Sequence, residues 1–151
     1  MGTKRFAIAG LFLVSLTAAT DTESTGSTGA ELTVKLLDVD PGRGGTLRCG
    51  VYDSEDGFPM KPEAAIQRVT AKPRPGVNES IFRLPSTGTY AVACNHDEDD
   101  NGKTNKNLFG VPTEGWGTSN NVRPRLRAPK FEESRFVMTS TVHEISIRMG
   151  Y

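Results

Sequence analysis

The chain has 151 residues, with 18 basic and 18 acidic side chains, two cysteines and one tryptophan. This length favours a single domain. A nucleic-acid-binding domain normally has a clustered surplus of basic residues, so this charge balance gives no indication of a nucleic-acid partner.

The first twenty residues, MGTKRFAIAGLFLVSLTAAT, have the pattern of a secretory signal. Lys4 and Arg5 precede an apolar run at 6–16, and small residues follow it at 17–19. The run is too short to cross a bilayer as a helix, which takes roughly 20 apolar residues. We therefore predict a signal peptide at 1–19 and an exported chain, periplasmic or extracellular, with no transmembrane segment after cleavage. The alternative is a buried core helix.

A run of Ser, Thr and Gly follows at 20–29 and contains no large apolar residue. Such a segment has nothing to bury and is typical of a flexible linker. The predicted folded domain is therefore 30–151. Without residues 1–19, the chain retains 16 basic and 18 acidic side chains, a net charge of about −2.

Beyond the linker, apolar and polar residues alternate in short runs bounded by Gly, Pro, Asn and Asp, a pattern typical of half-buried strands. The predicted strands are 31–39, 45–52, 66–72, 79–84, 89–95, 131–139 and 141–149. A helical turn is predicted at 62–67, where Pro62 can start it. Seven short strands predict an all-β fold, an antiparallel β-sandwich. A small β-barrel uses the same pattern and is the alternative.

Cys49 and Cys94 both lie in predicted strands, on the same face as the neighbouring apolar residues. In an exported protein an even number of cysteines indicates a disulfide, and two buried free thiols are the alternative. We predict that the two cysteines pair. Cysteines at the centres of two strands are easily placed across facing sheets, which favours the sandwich over the barrel.

Residues 97–105, DEDDNGKTN, match the first half of the calcium-loop pattern D-x-[DN]-x-[DN]-G. Calcium takes six to eight oxygen ligands, and alternate side chains can converge on it where a glycine lets the backbone turn sharply. The predicted ligands of the loop are Asp97, Asp99, Asn101, the backbone carbonyl of Lys103, and Asn105.

The loop is not an EF-hand, because its twelfth position is Leu108 rather than glutamate and no helical pattern flanks it. Glu114 is the nearest remaining carboxylate and is predicted to supply the missing ligand. With so few carboxylates, the expected dissociation constant is about 10⁻⁴ to 10⁻³ M. The alternative is a loop without an ion, since Asp, Asn and Gly also form Asx-turns.

A hydrolytic metal site would use His96 with Asp97 and Glu114. Zinc normally takes three or four protein ligands. The other histidine, His143, lies in the last predicted strand. Neighbouring strand residues point to opposite faces, so His96 and Asp97 do not easily share a ligand. The sequence favours a histidine whose hydrogen bonds hold the loop.

The downstream segment offers a candidate ligand surface formed by Trp116, Asn120 and Asn121. A flat ring beside amides suits a carbohydrate or a protein segment, including another envelope protein. The alternative is that Trp116 covers the core. Farther on, Arg123, Arg125 and Arg127 alternate, and they could contact an anionic polymer or lipid headgroup, or pair with the acidic residues at 132–133.

Two segments resemble the signature of the family called domain of unknown function 2141. They are LPSTGTYAVACNHDEDDNGKTNKNLFGVPTEGWGTSNN and APKFEESRFVM. The family motif is HDxNxNGKxDxNxxGxPxEGxGxSNN, followed by P-x-F-x-x-A-x-F. Here Asp99 stands where the family usually has Asn, Asn105 where it has Asp, and Ser134 where it has Ala. The number of loop carboxylates is therefore kept while their positions change.

The resemblance implies a small exported bacterial β-sandwich, immunoglobulin-like or prealbumin-like, without an established activity. We therefore predict a non-enzymatic exported module whose calcium-stabilised loop presents a binding surface. The alternatives are a metal-dependent hydrolase and a purely structural envelope protein.

Overall fold

The computed structural model describes residues 29–151, so the predicted signal peptide and nearly all of the predicted linker lie outside the described residues. The described chain forms eight strands and one short α-helix. The strands are β1 (Ala30–Leu37), β2 (Thr46–Tyr52), β3 (Gln67–Ala71), β4 (Asn78–Leu84), β5 (Gly88–Asp97), β6 (Trp116–Thr118), β7 (Phe136–Met138) and β8 (Val142–Arg148); the helix is α1 (Phe131–Ser134). Three single turns of 3-10 helix lie at Pro41–Arg43, Pro62–Ala64 and Ser119–Asn121.

The strands form two sheets, which confirms the predicted all-β sandwich. One sheet has the order β4-β1-β8, and the other has the order β3-β2-β5-β6 with β7 also paired to β5. One pair departs from an antiparallel arrangement: β1 and β8 run parallel. Parallel pairing needs a long connection between the two strands, and here almost the whole domain separates them. Strands β1 and β2 lie in different sheets, whereas the first two strands of an immunoglobulin constant domain share one.

Apolar side chains from both sheets form the core between them. In β1 every second residue is buried, so Leu32, Val34 and Leu36 point inward while the intervening polar residues stay near the surface. Phe82 from β4 and Val92 from β5 are also fully buried. Each such side chain contributes about 1.5 to 3 kcal/mol by leaving water, so the alternating pattern fixes which face of each strand turns inward.

The disulfide between Cys49 and Cys94 is confirmed, but its expected position across the two sheets is wrong. The cysteines are directly opposite each other on the antiparallel neighbours β2 and β5, with Cα atoms 4.1 Å apart. Both side chains face the core and are nearly inaccessible to water. The disulfide therefore links two strands of the same sheet. It gives no reason to prefer a sandwich over a barrel.

Two other predictions need correction. The predicted strand 131–139 divides into α1 and β7. The Glu133 carboxylate accepts the backbone N–H of Lys130 at 2.9 Å, which stabilises a helical turn where an extended chain was expected. Strand β6 was not predicted, because only three residues form it. The helical turn expected from Pro62 is present at Pro62–Ala64. Within residues 29–151, no helix combines the length and apolar character needed to cross a membrane.

Candidate cation site at the end of β5

Strand β5 ends at Asp97, whose carboxylate is completely buried. Its Oδ2 accepts hydrogen bonds from Arg48 Nε at 2.6 Å and from the Gly102 backbone N–H at 2.8 Å. Its Oδ1 accepts the Asn101 backbone N–H at 3.0 Å. The loop that follows β5 therefore turns around this one carboxylate, in the way that an aspartate orders a turn through nearby backbone N–H groups.

Asp99 lies on the exposed side of the same loop. Its Oδ2 accepts the side-chain amides of Asn101 at 2.8 Å and Asn105 at 2.9 Å. The Asn105 amide is the main reason why the pKa of Asp99 lies below its usual range. Asp99 is therefore ionised near neutral pH, as a cation ligand must be.

Glu114, the residue predicted to supply the missing ligand, folds back onto the loop. It is 4% exposed, and its Oε1 accepts the Glu98 backbone N–H at 3.0 Å. Its Oε2 accepts the Asn105 backbone N–H at 2.8 Å. Both carboxylate oxygens of Glu114 are therefore held by backbone N–H groups, one near the start of the loop and one near its end.

Asp97, Asp99 and Glu114 each place a carboxylate oxygen within 4.8 Å of the other two. Arg48 is the one basic side chain that pairs with this cluster within residues 29–151. The neighbouring acids have their own partners: Glu98 pairs with Arg43 at 3.1 Å, and Asp100 pairs with Lys72 at 3.0 Å. Three carboxylates and one guanidinium leave the cluster with a net charge of −2.

The remaining predicted ligands take part in the turn. Asn101 Oδ1 accepts the Lys103 backbone N–H at 2.8 Å, and Asn105 Oδ1 accepts the Asn101 side-chain amide at 2.8 Å. These bonds are also what an ordered loop of Asx-turns would show. Asn105 contacts both Asp99 and Glu114, so its side chain lies at the cluster.

Two residues that support the site were missed in the sequence. Arg48 on β2 reaches Asp97 because the two strands are neighbours, and only the register of the sheet shows this. Gly45 lies against the other side of Asp97: its φ is +65°, and a Cβ there would come 2.0 Å from the Asp97 carbonyl oxygen. Glycine is required at this position by both conformation and space.

A family model described as "Uncharacterized protein conserved in bacteria (DUF2141)" matches residues 38–146, which include the whole candidate cation site. The chain belongs to the DUF2141 family. This confirms the family resemblance predicted from the sequence. No curated protein and no solved structure matches the chain.

In this DUF2141 protein, the His96 side chain is buried and hydrogen-bonded to other parts of the fold. The side chain is completely buried; Nε2 donates to the Gly44 carbonyl at 2.6 Å, and Nδ1 accepts from the Tyr151 hydroxyl at 2.8 Å. Both ring nitrogens are therefore engaged away from Asp97. Among residues 29–151, His96 joins no cluster of potential metal ligands. His143 stacks on Phe136 instead, with ring centroids 5.5 Å apart.

In the predicted ligand surface, the side-chain amides of Asn120 and Asn121 form hydrogen bonds with backbone groups of the protein itself. The Asn120 side-chain amide donates to the carbonyls of Glu133 at 3.1 Å and Arg135 at 2.9 Å. Asn121 Oδ1 accepts the Arg148 backbone N–H at 2.7 Å. The Trp116 ring is half-buried, with the Arg123 guanidinium 4.5 Å from its centroid. The two asparagines thus hold α1 and β8 in place.

Proposed function

We propose that this DUF2141 protein is a non-enzymatic, exported β-sandwich module in which a calcium-type cation stabilises the loop after β5. The observation that supports this most strongly is the convergence of Asp97, Asp99 and Glu114 to within 4.8 Å. Glu114 lies 17 positions after Asp97 and takes the place of the glutamate that closes an EF-hand loop.

The charge of the cluster supports a divalent ion. Asp97 and Glu114 are buried, and burying a carboxylate is costly unless an opposite charge compensates it. Arg48 supplies one positive charge, and a bound dication balances the remaining −2. The backbone N–H groups around Asp97 and Glu114 hold both side chains in position before the ion arrives.

The chemistry of the ligands favours calcium over zinc. The candidate ligands are all oxygens, with no imidazole or thiolate among them, and hard oxygen ligands are those that calcium prefers. Rotation of the Asn101 and Asn105 amides by half a turn exchanges their oxygen and nitrogen atoms. Together with the Lys103 carbonyl, these oxygens complete a shell of at least six ligands.

The disulfide supports the exported location. A disulfide persists in the periplasm or outside the cell, whereas the cytosol keeps thiols reduced. An envelope or extracellular location is therefore part of the proposal.

Thermal unfolding in calcium and in EGTA tests this function. At about 10 mM calcium, a ligand that binds only the native state with the expected affinity adds about 1.4 to 2.7 kcal/mol. For a domain of this size the midpoint rises by about 4 to 12 °C. Equal midpoints in calcium and EGTA would favour the ion-free loop of a purely structural envelope protein.

Glu114→Gln is the diagnostic variant, because it removes the charge but keeps an oxygen acceptor for the loop. It should lose the calcium-dependent rise, so that its midpoints in calcium and in EGTA are equal. The exposed Glu63→Gln is the matched control and should keep the full rise. Stoichiometric zinc, iron or manganese in the purified protein would instead support the metal-dependent hydrolase.

A further inference from the structure

Between the candidate cation loop and Glu114, residues 105–113 form an ordered hairpin, which we call the tip hairpin. Its two sides are joined by backbone hydrogen bonds from Thr113 to Asn105 and from Asn107 to Val111, each 2.9 Å long. At its end, the Asn107 side-chain oxygen accepts the backbone N–H groups of Phe109 at 2.9 Å and Val111 at 3.1 Å. These bonds make the end of the hairpin a defined turn.

Two large apolar side chains occupy the end of that turn. Leu108 is 101% exposed and Phe109 is 89% exposed, and the adjacent Val111 is also exposed. The Asn107 carbonyl accepts the Gly110 N–H, so Leu108 and Phe109 are the two central residues of the turn. Neighbouring apolar groups that project into water in this way typically mark a contact surface.

The tip hairpin and the loop residues just before it, 102–104, are positively charged. Residues 102–113 contain Lys103 and Lys106 and no acidic residue, and both lysines are exposed. Neither forms a salt bridge with another residue between 29 and 151. Two free ammonium groups therefore lie within a few residues of the apolar tip.

We propose that the tip hairpin docks on a bilayer that contains anionic phospholipid. Leu108 and Phe109 enter the boundary between headgroups and acyl chains, while Lys103 and Lys106 face the anionic headgroups. A stable protein interface buries about 800 Å² on each partner, which a two-residue convex tip cannot supply. Binding to a membrane surface instead grows with the apolar area that enters the interface and with each basic group near anionic lipid, so it requires no minimum area of this kind.

Cation binding is expected to promote this docking, a step that rests on the proposed function. Asn105, at the base of the hairpin, donates its backbone N–H to Glu114 and its side-chain amide to Asp99. Without a cation, the net charge of −2 beneath the hairpin repels an anionic surface. A bound dication neutralises that charge and fixes the base of the hairpin.

Co-sedimentation with vesicles tests the proposal, using the purified protein with phosphatidylcholine vesicles that contain or lack phosphatidylglycerol. Binding should require the anionic lipid. Replacing both tip residues, Leu108→Ser with Phe109→Ser, should weaken binding at least tenfold. Lys106→Gln should weaken it about fivefold. Because these side chains are exposed, the variants should unfold at the wild-type temperature.

Val142→Ser is the matched control. Val142 is 70% exposed and is the first residue of β8. The other end of β8 is the one near the candidate cation site. Replacing Val142 should therefore leave vesicle binding unchanged. In a second measurement, tryptophan fluorescence of Phe109→Trp should shift to shorter wavelength when anionic vesicles are added. Absence of wild-type binding to anionic vesicles, or equal binding by the double tip variant, would overturn the proposal.

The two proposals fail in distinguishable ways. If the tip variants reduce vesicle binding but calcium changes neither binding nor the unfolding midpoint, docking is supported and the cation site is refuted. If calcium raises the midpoint but anionic vesicles do not bind, the cation site is supported and docking is refuted.

Discussion

Glu114 accepts a hydrogen bond from the backbone N–H of Glu98 at 3.0 Å, although 16 positions separate the two residues. The chain leaves the sheet after β5, forms the candidate cation loop and the tip hairpin, and returns to pair as β6. The backbone N–H of His96 donates to the Gly115 carbonyl at 2.7 Å, and this bond joins the two ends of the segment between β5 and β6. The pairing of β5 with β6 therefore decides where the Glu114 carboxylate lies.

The two neighbouring glycines before β2 should respond very differently to alanine. Both have positive φ, and Gly44 combines φ of 71° with ψ of −143°, so each substitution introduces backbone strain of about 1 to 3 kcal/mol. A Cβ at Gly44 meets nothing within 4 Å, whereas one at Gly45 meets the Asp97 backbone. Gly45→Ala should therefore cost more than Gly44→Ala, because only at Gly45 must the neighbouring backbone also move. Urea unfolding of both variants measures this difference, and equal losses would contradict the close approach.

The disulfide should account for about 4 kcal/mol of the free energy of unfolding, since it closes a loop between residues separated by 45 positions. Reduction of the wild type should lower the stability by this amount. Its thiols still fill the same buried space, so the comparison avoids the cavity that alanine would leave. Mass spectrometry after alkylation of the unreduced protein should find no modified cysteine, and two modified cysteines would refute the bond.

The ion pair between Arg127 and Glu133 should make the stability of the fold depend on pH in the acidic range. The Arg127 guanidinium, helped by the Lys130 backbone N–H, lowers the pKa of Glu133 from 4.5 to about 2. The pair therefore stabilises the fold above about pH 4.5, and this contribution is lost as the pH falls through about 2. Arg127→Gln should raise the pKa of Glu133 towards its ordinary value, as followed by carboxyl carbon NMR. Arg125→Gln is the control and should leave it unchanged.

The strands were largely predictable because alternating burial leaves a direct trace in the sequence. Leu32, Val34 and Leu36 mark the inner face of β1 without any knowledge of its neighbours. The sequence has no comparable pattern that shows which strands pair with each other. The sequence therefore predicted that Cys49 and Cys94 pair, but not that they are neighbours in one sheet, and it did not show that β1 and β8 run parallel.

The members of the candidate carboxylate cluster could be predicted where local sequence patterns point to them. Asp97 and Asp99 were predicted from their spacing, and Glu114 as the nearest remaining carboxylate. Arg48 and Gly45 act through contacts between strands and turns, which no local pattern shows. Asn120 and Asn121 were interpreted as a ligand surface; both are exposed, and their side-chain amides bond to backbone groups of the protein itself, which no local pattern shows.

The most direct test of the cation site is a calcium titration followed by amide NMR. The backbone N–H groups of Asn101, Gly102 and Asn105 donate to Asp97 and Glu114, so they report on those carboxylates. We predict that all three signals shift together and saturate with one dissociation constant of about 10⁻⁴ to 10⁻³ M, and that Glu114→Gln abolishes the shift. Signals that stay unchanged up to about 10 mM calcium, ten times the upper end of that range, would contradict a calcium site at Asp97, Asp99 and Glu114.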